Sequence, residues 1–274
     1  MRQIKPYRVL AKETDRAKVR SHRNMSRVNV FCFFGHRFVE ISENRVANKT
    51  WSEVDDFIST QLISPEERQA ETICVNQEAG LPAIDISAPQ GKFLQLLASA
   101  SGARNILEIG TLGGFSTIWL ARAVGKDGRV ISIDVDSKHI HIARQNIARE
   151  GLADRVDLRL GAAVNVLGKL EEERIAPFDF CFIDADKANN AHYFDWAAQH
   201  SRIGGLIVVD NVICAGAVAD DLTKEENAIS ARRLFGALSR NPRVSATAIQ
   251  TVGLKGWDGM LIAEVCEVVK ASDE

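Results

Sequence analysis

The feature that most constrains the fold is a repeated alternation of short apolar runs and longer amphipathic runs between residues 105 and 211. The short runs predict five strands, each followed by Gly or Asp, and the longer runs between them predict helices. The nearly continuous apolar character of the last two strands is typical of a parallel sheet covered on both faces. The pattern therefore predicts a doubly wound, mostly parallel α/β fold. The predicted strands are 105–110, 129–135, 156–161, 178–184 and 205–211.

The residues before this alternation predict added helices. Capping patterns at Thr50–Glu53 and Ser64–Glu67 predict two helix starts, the second with a Pro at its first position. A third helix is predicted from Pro89 to Ala100. The stop signals of the second helix are Gly80 and Pro82.

The residues after the alternation break its rhythm. The pattern Thr223–Glu226 predicts the cap of a helix that reaches about Arg240. Strand patterns at 244–252 and 259–265 follow, separated by a connection that is too short for a parallel crossover. They therefore predict a C-terminal antiparallel hairpin.

The first three strand ends carry residues suited to a nucleoside. In open α/β sheets, ligands bind at the carboxyl ends of the strands. Glu108 and Gly110 end the first strand, and a helix N-terminus near Ser116 follows, where backbone N–H groups can hold an anion. Asp134 ends the second strand and can accept hydrogen bonds from ribose hydroxyls, and the small Ala162 follows the third. NAD and S-adenosylmethionine share a ribose, so these residues predict a nucleoside without saying which.

The last two strand ends carry a different chemistry. Asp184 ends the fourth strand with Lys187 three residues later, and Asp210-Asn211 ends the fifth. Two carboxylates and an amide oxygen suit a hard cation such as Mg²⁺. A charge that directly follows the apolar run before Asp210 would be costly without a partner, which favours a metal site over a solvated turn. Asp186 is assigned a structural role.

Four segments in this order and spacing resemble the cation-dependent O-methyltransferases, the family of catechol and caffeoyl-coenzyme A O-methyltransferases. They are LEIGTLGGFS, SIDVD, FIDADK and GGLIVVDN. The likeness covers about residues 51–267. It implies a Rossmann-like methyltransferase fold with a seven-stranded sheet, in which strands four and five are adjacent.

The resemblance also implies roles for individual residues. S-adenosylmethionine would lie along the first strand ends, with its methionine part near Glu108, Gly110 and Ser116. Asp134 would bind its ribose and Ala162 would lie near its adenine. The further implied roles are a backbone contact at Ile86, a cation held by Asp184 (which also borders the cofactor), Asp210 and Asn211, and a catalytic base at Lys187.

The implied reaction transfers a methyl group to one hydroxyl of a small phenolic acceptor with two neighbouring oxygens. Mg²⁺ is the first candidate for the cation, with Ca²⁺ and Mn²⁺ as alternatives. Two departures from the family fall beside the predicted acceptor pocket, at Cys214 and Asn190. Trp257 is predicted either to wall this pocket or to pack. A homodimer formed through the N-terminal helices is also implied.

Charge and composition bear on location and partners. Residues 1–24 carry eight Lys or Arg against two acidic residues, so the rest of this chain of net charge −2 carries −8. The acidic body argues against nucleic acid as a partner, and no apolar run approaches the about 20 residues that span a bilayer.

Residues 1–50 are predicted to be a poorly ordered basic extension and 51–274 the methyltransferase domain. Five cysteines without a paired spacing predict reduced thiols and a cytoplasmic location.

Two other functions share part of this pattern. A nicotinamide-dependent oxidoreductase would account for the glycines and Asp134, but it gives no reason for Asp210-Asn211. A nucleoside-binding protein without turnover would keep the pocket, but the retained Lys187 and the two aspartates argue against it.

Overall fold

A computed structural model of the chain describes residues 31–34, 37–40 and 45–267, with side chains from residue 50 onward. Phe31–Phe34 (β1) and Arg37–Glu40 (β2) form an antiparallel pair. The predictions of disorder and of a basic arm in residues 1–50 concern residues that lie largely outside the described ones. A helix that begins at Arg45 crosses the predicted domain boundary at residue 50.

The remaining strands form one seven-stranded sheet, as the resemblance implied. The strand order is β5-β4-β3-β6-β7-β9-β8, in which the first five strands are parallel to one another and β9 runs antiparallel to both of its neighbours, β7 and β8. The fourth and fifth predicted strands, β6 and β7, are adjacent. The strands are β3 (Asn105–Ile109), β4 (Arg129–Asp134), β5 (Val156–Leu160), β6 (Phe178–Ile183), β7 (Ser201–Asp210), β8 (Val244–Gly253) and β9 (Gly256–Val265).

Helices cover both faces of this sheet. Neighbouring residues of β3 alternate between two buried apolar clusters: Leu107 packs with residues of α6, α7 and α8, and Ile106 packs with residues of α3, α4 and α5. Within the described residues, no helix combines the length and apolarity needed to cross a membrane. The helices are α1 (Arg45–Leu62), α2 (Ala70–Glu78), α3 (Ala88–Ala100), α4 (Phe115–Ala123), α5 (Ser137–Arg149), α6 (Ala163–Glu172), α7 (Asn190–His200) and α8 (Glu226–Leu238).

Two predicted helix starts are wrong. Thr50 does not begin α1, because residues 45–49 are already helical and a Thr-x-x-Glu pattern caps a helix only where the preceding chain leaves it. The capping pattern at Ser64 and Glu67 does form, since each side chain accepts from the other residue's backbone N–H, at 3.3 and 3.2 Å. It encloses only a single turn. Gln69 then takes a left-handed φ of 56° and donates to the backbone oxygen of Phe115, so α2 begins only after it.

Two further predictions are corrected in detail. Thr223 forms a turn by accepting from the N–H of Glu225, and α8 begins without a side-chain cap. The hairpin is confirmed, but its strands are longer than predicted and continue to Gly253 and from Gly256. Pairing across the sheet extends strands past the point where the apolar pattern ends.

Candidate active site

A glycine turn joins the first strand end to the fourth. Gly110 follows β3 with a φ of +102°, and a Cβ there would lie 2.0 Å from the backbone oxygen of Asp184. The N–H of Asp184 in turn donates to the oxygen of Ile109 at 2.8 Å. Only glycine tolerates both the conformation and the close approach. The cofactor end and the predicted metal end of the sheet are therefore in direct backbone contact.

Glu108 lies behind this turn and is fully buried. Its carboxyl accepts hydrogen bonds from the hydroxyls of Ser116 at 2.6 Å, Ser132 at 2.5 Å and Thr117. Burial raises the pKa of Glu108 to about 7, against the opposing effect of the three hydroxyls. Its side chain does not border the cavity described below, whereas Ser116 does. Glu108 thus fixes the position of Ser116 at the start of α4.

The carboxylate of Asp134, at the end of β4, is held in place by hydrogen bonds from nearby residues. Its Oδ2 accepts from the N–H groups of Thr111 and Leu112 at 3.1 and 2.9 Å, and its Oδ1 accepts from that of Asp136 at 2.9 Å. The ring nitrogen Nδ1 of His139 lies 3.1 Å from Oδ1. The carboxylate is therefore fixed at the cavity edge with its orientation determined by backbone amides.

These strand ends border a cavity of about 790 Å³. Ala162 stands at the N-terminus of α6 on its wall, next to two apolar side chains that are exposed to it, Val135 (72% exposed) and Val164 (43% exposed). Exposed apolar side chains on a concave wall suit the faces of a flat ring. Ile86 is buried and also borders this cavity.

The two acidic strand ends meet as predicted. Ile183 and Val209 are paired in register across β6 and β7, so Asp184 and Asp210 follow at the same level of adjacent strands. Both border a second cavity of about 540 Å³ together with Asn211. Asp210 is 2% exposed. Asn211 has a left-handed φ of 58°, which Asn tolerates better than most residues, and its N–H donates to Oδ1 of Asp210 at 2.8 Å.

Charge is concentrated at this point. Burial raises the pKa of Asp210 to about 7, and the neighbouring charge of Asp184 adds to that rise while Lys187 opposes it. Lys187 Nζ donates to Oδ1 of Asp184 at 2.7 Å and to the backbone oxygen of Asp210 at 3.3 Å. The single ammonium offsets part of the repulsion between two carboxylates.

The donor set fits a divalent cation. Among the described residues, no hydrogen-bond donor reaches Oδ2 of Asp184 or Oδ2 of Asp210. In the described part of the chain, no three His, Cys, Asp or Glu side chains are placed to hold a metal ion together, so the third donor would be the amide oxygen of Asn211. Two carboxylates and an amide oxygen are hard ligands of the kind that Mg²⁺ and Ca²⁺ prefer.

The two cavities meet. Five residues border both cavities: Ile84, Asp85, Ile86, Asp184 and Asn211. Lys187 borders the larger cavity. A molecule in the larger cavity and one in the smaller would therefore touch the same short set of side chains. This arrangement can bring two reactants together beside a cation.

The structure corrects the predicted positions of Cys214 and Asn190 and decides the role of Trp257, which the sequence left open. Cys214 and Asn190 are buried and border neither cavity, so the prediction that they flank the pocket is wrong for both side chains. Trp257 also borders neither: its ring packs over Gly216, where a Cβ would lie 2.7 Å from it, and its Nε1 donates to Gln250. Packing is therefore the role of Trp257.

Sequence reasoning missed two polar side chains of the site. Asp85 borders both cavities, and His139 contacts Asp134. Asp186, which was predicted to be structural, accepts from Tyr193 Oη at 2.7 Å and from Asn189 Nδ2 at 2.5 Å, which orders the start of α7. A signal for His139 was present, since it lies five residues after Asp134 in the first turn of a helix.

Comparison with known proteins gives a consistent result. A family model described as O-methyltransferase matches residues 64–264. Catechol O-methyltransferase from Mycobacterium tuberculosis is 47% identical over 213 residues, which covers 78% of this chain and 95% of that protein. Catechol O-methyltransferase from Niastella koreensis is 47% identical over 218 residues, covering 80% and 99%. The crystal structure of the O-methyltransferase from Bacillus cereus in complex with SAH, S-adenosylhomocysteine, is 50% identical, with a TM-score of 0.78 and coverage of 80% and 99%.

Proposed function

The chain belongs to the O-methyltransferase family, and from this premise we propose that it methylates one hydroxyl of a catechol-like acceptor with the help of a divalent cation. It is an S-adenosylmethionine-dependent O-methyltransferase; the acceptor and the cation are the proposed part. One observation carries the proposal. Asp184 and Asp210 end adjacent strands, border one cavity with Asn211, and each keep an oxygen that no described protein group satisfies.

For the cofactor, we propose that the larger cavity holds S-adenosylmethionine along its length. The backbone at Gly110 and Ile86 and the hydroxyl of Ser116 would contact the methionine part. Glu108 would act through Ser116, whose hydroxyl it holds at 2.6 Å. The carboxylate of Asp134 would accept from the ribose, and Ala162 would border the adenine.

For the cation, Asp184, Asp210 and Asn211 would be the protein ligands. When bound there, a divalent cation would supply Lewis acidity that favours the ionised form of a catechol hydroxyl. Mg²⁺ remains the first candidate, with Ca²⁺ and Mn²⁺ as alternatives, because all three are bound by oxygen ligands.

For the proton, Lys187 is the proposed acceptor. Lys187 borders the larger cavity and its Nζ contacts Asp184, which borders both cavities, so an acceptor hydroxyl placed at the junction would lie near it. The ammonium of Lys187, which contacts Asp184, would first release a proton to solvent, and the acceptor hydroxyl would then pass its proton to the resulting amine. The acceptor oxygen would form its bond to the methyl carbon as the sulfur–carbon bond breaks, with S-adenosylhomocysteine as the leaving group. The protein's contribution is to position the two reactants at one junction and to keep water from it.

Of the two alternative functions left open by the sequence, family membership bears on one. It argues against a nicotinamide-dependent oxidoreductase, because the matched family and relatives are methyltransferases. The reading as a nucleoside-binding protein without turnover is tested by measuring turnover itself. Homodimerisation, a cytoplasmic location and the absence of a nucleic-acid partner stay predictions.

The test is methyl transfer from labelled S-adenosylmethionine to a set of phenols. We expect product with vicinal diols such as 4-methylcatechol, little or none with the monohydroxy analogue 4-methylphenol, and loss of activity in EDTA that Mg²⁺ restores. Equal turnover of the diol and the monohydroxy compound would refute the catechol assignment. Activity that survives exhaustive chelation would refute the role of the cation.

A further inference from the structure

Asp85 occupies a position that neither the cofactor nor the cation explains. It lies in a segment without helix or strand between α2 and α3, and it is one of the residues that border both cavities. It is half-buried, and the apolar Ile84 and Ile86 flank it along the chain. A charged side chain at the junction of two ligand cavities contacts whichever molecule reaches that junction.

Hydrogen bonds from buried amide side chains hold Asp85 in place. Asn76, 2% exposed, donates from Nδ2 to Oδ1 of Asp85 at 3.0 Å. The Oδ1 of Asn76 accepts from Asn146 at 2.9 Å, and Asn146 also donates to the backbone oxygen of Gly113 at 2.8 Å. This chain of hydrogen bonds ties Asp85 to the glycine turn after β3. The carboxylate is therefore preorganised, and among the described residues no other residue donates to its Oδ2.

The other carboxylates of the smaller cavity are already engaged. Asp258 Oδ1 accepts from the backbone N–H groups of Ile213, Cys214 and Gly259, and Asp55 Oδ2 accepts from that of Leu254 at 2.7 Å. Asp184 and Asp210 belong to the proposed cation site. Outside the proposed cation site, Asp85 is the acid of this lining that also borders the larger cavity.

One cation in the lining opposes Asp85. Lys255, in the turn between β8 and β9, is exposed and donates from Nζ to the backbone oxygen of Ala83 at 3.2 Å. Its charge lowers the pKa of Asp85, which burial raises. The lining as a whole carries five carboxylates, those of Asp55, Asp85, Asp184, Asp210 and Asp258, against this single ammonium. Because Lys255 is exposed, solvent screens it more strongly than the half-buried Asp85.

We propose that Asp85 is a specificity-determining residue, whose carboxylate favours acceptors with a positive charge beside the ring and disfavours acceptors with a negative charge there. The inference rests on the proposed function, because it takes the smaller cavity as the acceptor site. Like charges brought together at a desolvated junction repel, and opposite charges attract, more strongly than in water. Lys255 acts in the opposite direction with a smaller effect.

The test compares three catechols of similar size that differ in charge, assayed with Mg²⁺ at pH 8. They are 3,4-dihydroxybenzylamine, 4-methylcatechol and 3,4-dihydroxybenzoate. For the unmodified protein we expect kcat/KM to fall in that order. Turnover of the neutral 4-methylcatechol checks the proposed function separately: if it is absent, the function fails, whereas if it is present, only the ratio of amine to carboxylate tests the role of Asp85.

Two variants should move that ratio in opposite directions. Asp85→Asn keeps the shape and the acceptor for Asn76 but removes the charge, so the ratio of kcat/KM for the amine to that for the carboxylate should fall about tenfold. Lys255→Met should raise the ratio about threefold, since an exposed charge has the weaker effect. Asp55→Asn is the matched control: it removes a carboxylate of the same cavity away from the junction and should change the ratio less than twofold.

The outcomes separate the proposal from a structural role. An unchanged ratio in Asp85→Asn would overturn the proposal. So would an equal loss for all three acceptors accompanied by weaker binding of S-adenosylhomocysteine in calorimetry, which would make Asp85 a cofactor residue. A selective change in the ratio with unchanged affinity for S-adenosylhomocysteine supports it.

Discussion

The two halves of the active site satisfy their acidic groups in different ways. In the cofactor half, Glu108 accepts from three hydroxyls and Asp134 accepts from three backbone N–H groups. In the cation half, the carboxylate of Asp210 is almost fully buried. Among the described residues, this carboxylate accepts only from the N–H of Asn211, and that of Asp184 accepts only from Lys187. The acids of the cofactor half are therefore satisfied within the folded protein, whereas each acid of the cation half keeps a carboxylate oxygen that no described residue satisfies.

This difference indicates what each half does. Satisfied acids preorganise a binding surface, because their positions are set before a ligand arrives. Unsatisfied carboxylates that border one cavity raise the energy of the folded state until a positive charge joins them. The comparison predicts that changes in the cation half affect turnover and leave cofactor affinity intact, whereas changes in the cofactor half do the reverse.

The largest expected effect is that of Asp210→Ala. It removes a ligand of the proposed cation, so kcat should fall about 1000-fold or more, equivalent to about 4 kcal/mol. The Kd for S-adenosylhomocysteine, measured by calorimetry, should change less than about threefold. A matched loss of cofactor affinity would contradict the division into two halves.

Asp186→Asn provides the control for that experiment. Asp186 lies two residues from Asp184, but its carboxylate is satisfied by Tyr193 and Asn189. Asn can still accept one of these hydrogen bonds, so kcat should fall only a few-fold. A loss as large as that of Asp210→Ala would show that the loop as a whole, rather than the cation ligands, determines turnover.

Gly110 tests the point where the halves touch. A Cβ in Gly110→Ala would collide with the backbone oxygen of Asp184, in addition to the strain of a positive φ. The free energy of unfolding in urea should fall by about 3 kcal/mol. Gly102→Ala is the control, since Gly102 has a φ of +66° with no atom within 4 Å of the added Cβ. It should lose only about 1 kcal/mol, and equal losses would show that the contact with β6 does not matter.

Glu108 should impose a pH dependence on stability. Its pKa is raised from 4.5 to about 7 by burial, so between these values the unfolded chain releases the proton and the folded chain keeps it. Stability from this group is therefore full below pH 4.5, falls as pH rises towards 7 and then levels off, with a total on the order of 3 kcal/mol. In the cofactor-free protein, Glu108→Gln should remove this decline, which urea unfolding at pH 5, 6 and 7 would measure. Parallel pH profiles for the two proteins would contradict the assignment.

Most of the fold could be predicted from the sequence because the central strands of the sheet are buried on both faces. Continuous apolar runs identify such strands without reference to their neighbours. Helix starts failed where a distant contact decides the backbone: Gln69 leaves the helical region and donates to Phe115, forty-six residues away. No local pattern encodes that hydrogen bond.

The residues of the site could be predicted where a local pattern places them, and could not where a distant contact does. Asp184 and Asp210 could be predicted because each directly follows an apolar strand, and a parallel sheet must bring such ends together. Asp85 could not, because its position depends on Asn76 and on Asn146, which is seventy residues from Asn76. Cys214 and Asn190 were misplaced because a position beside a motif does not determine whether a side chain faces the cavity or the core.

The smallest expected effect sharpens the comparison from the cofactor side. Asp134→Asn replaces one carboxylate oxygen with an NH₂ group, which cannot accept from the N–H groups of Thr111 and Leu112 if it takes the place of Oδ2. The affinity for S-adenosylhomocysteine should fall about tenfold, because one acceptor for the ribose is lost. At saturating S-adenosylmethionine, kcat should stay within about threefold, since the cation half is untouched. A fall in kcat as large as that in affinity would show that the two halves do not divide binding from chemistry.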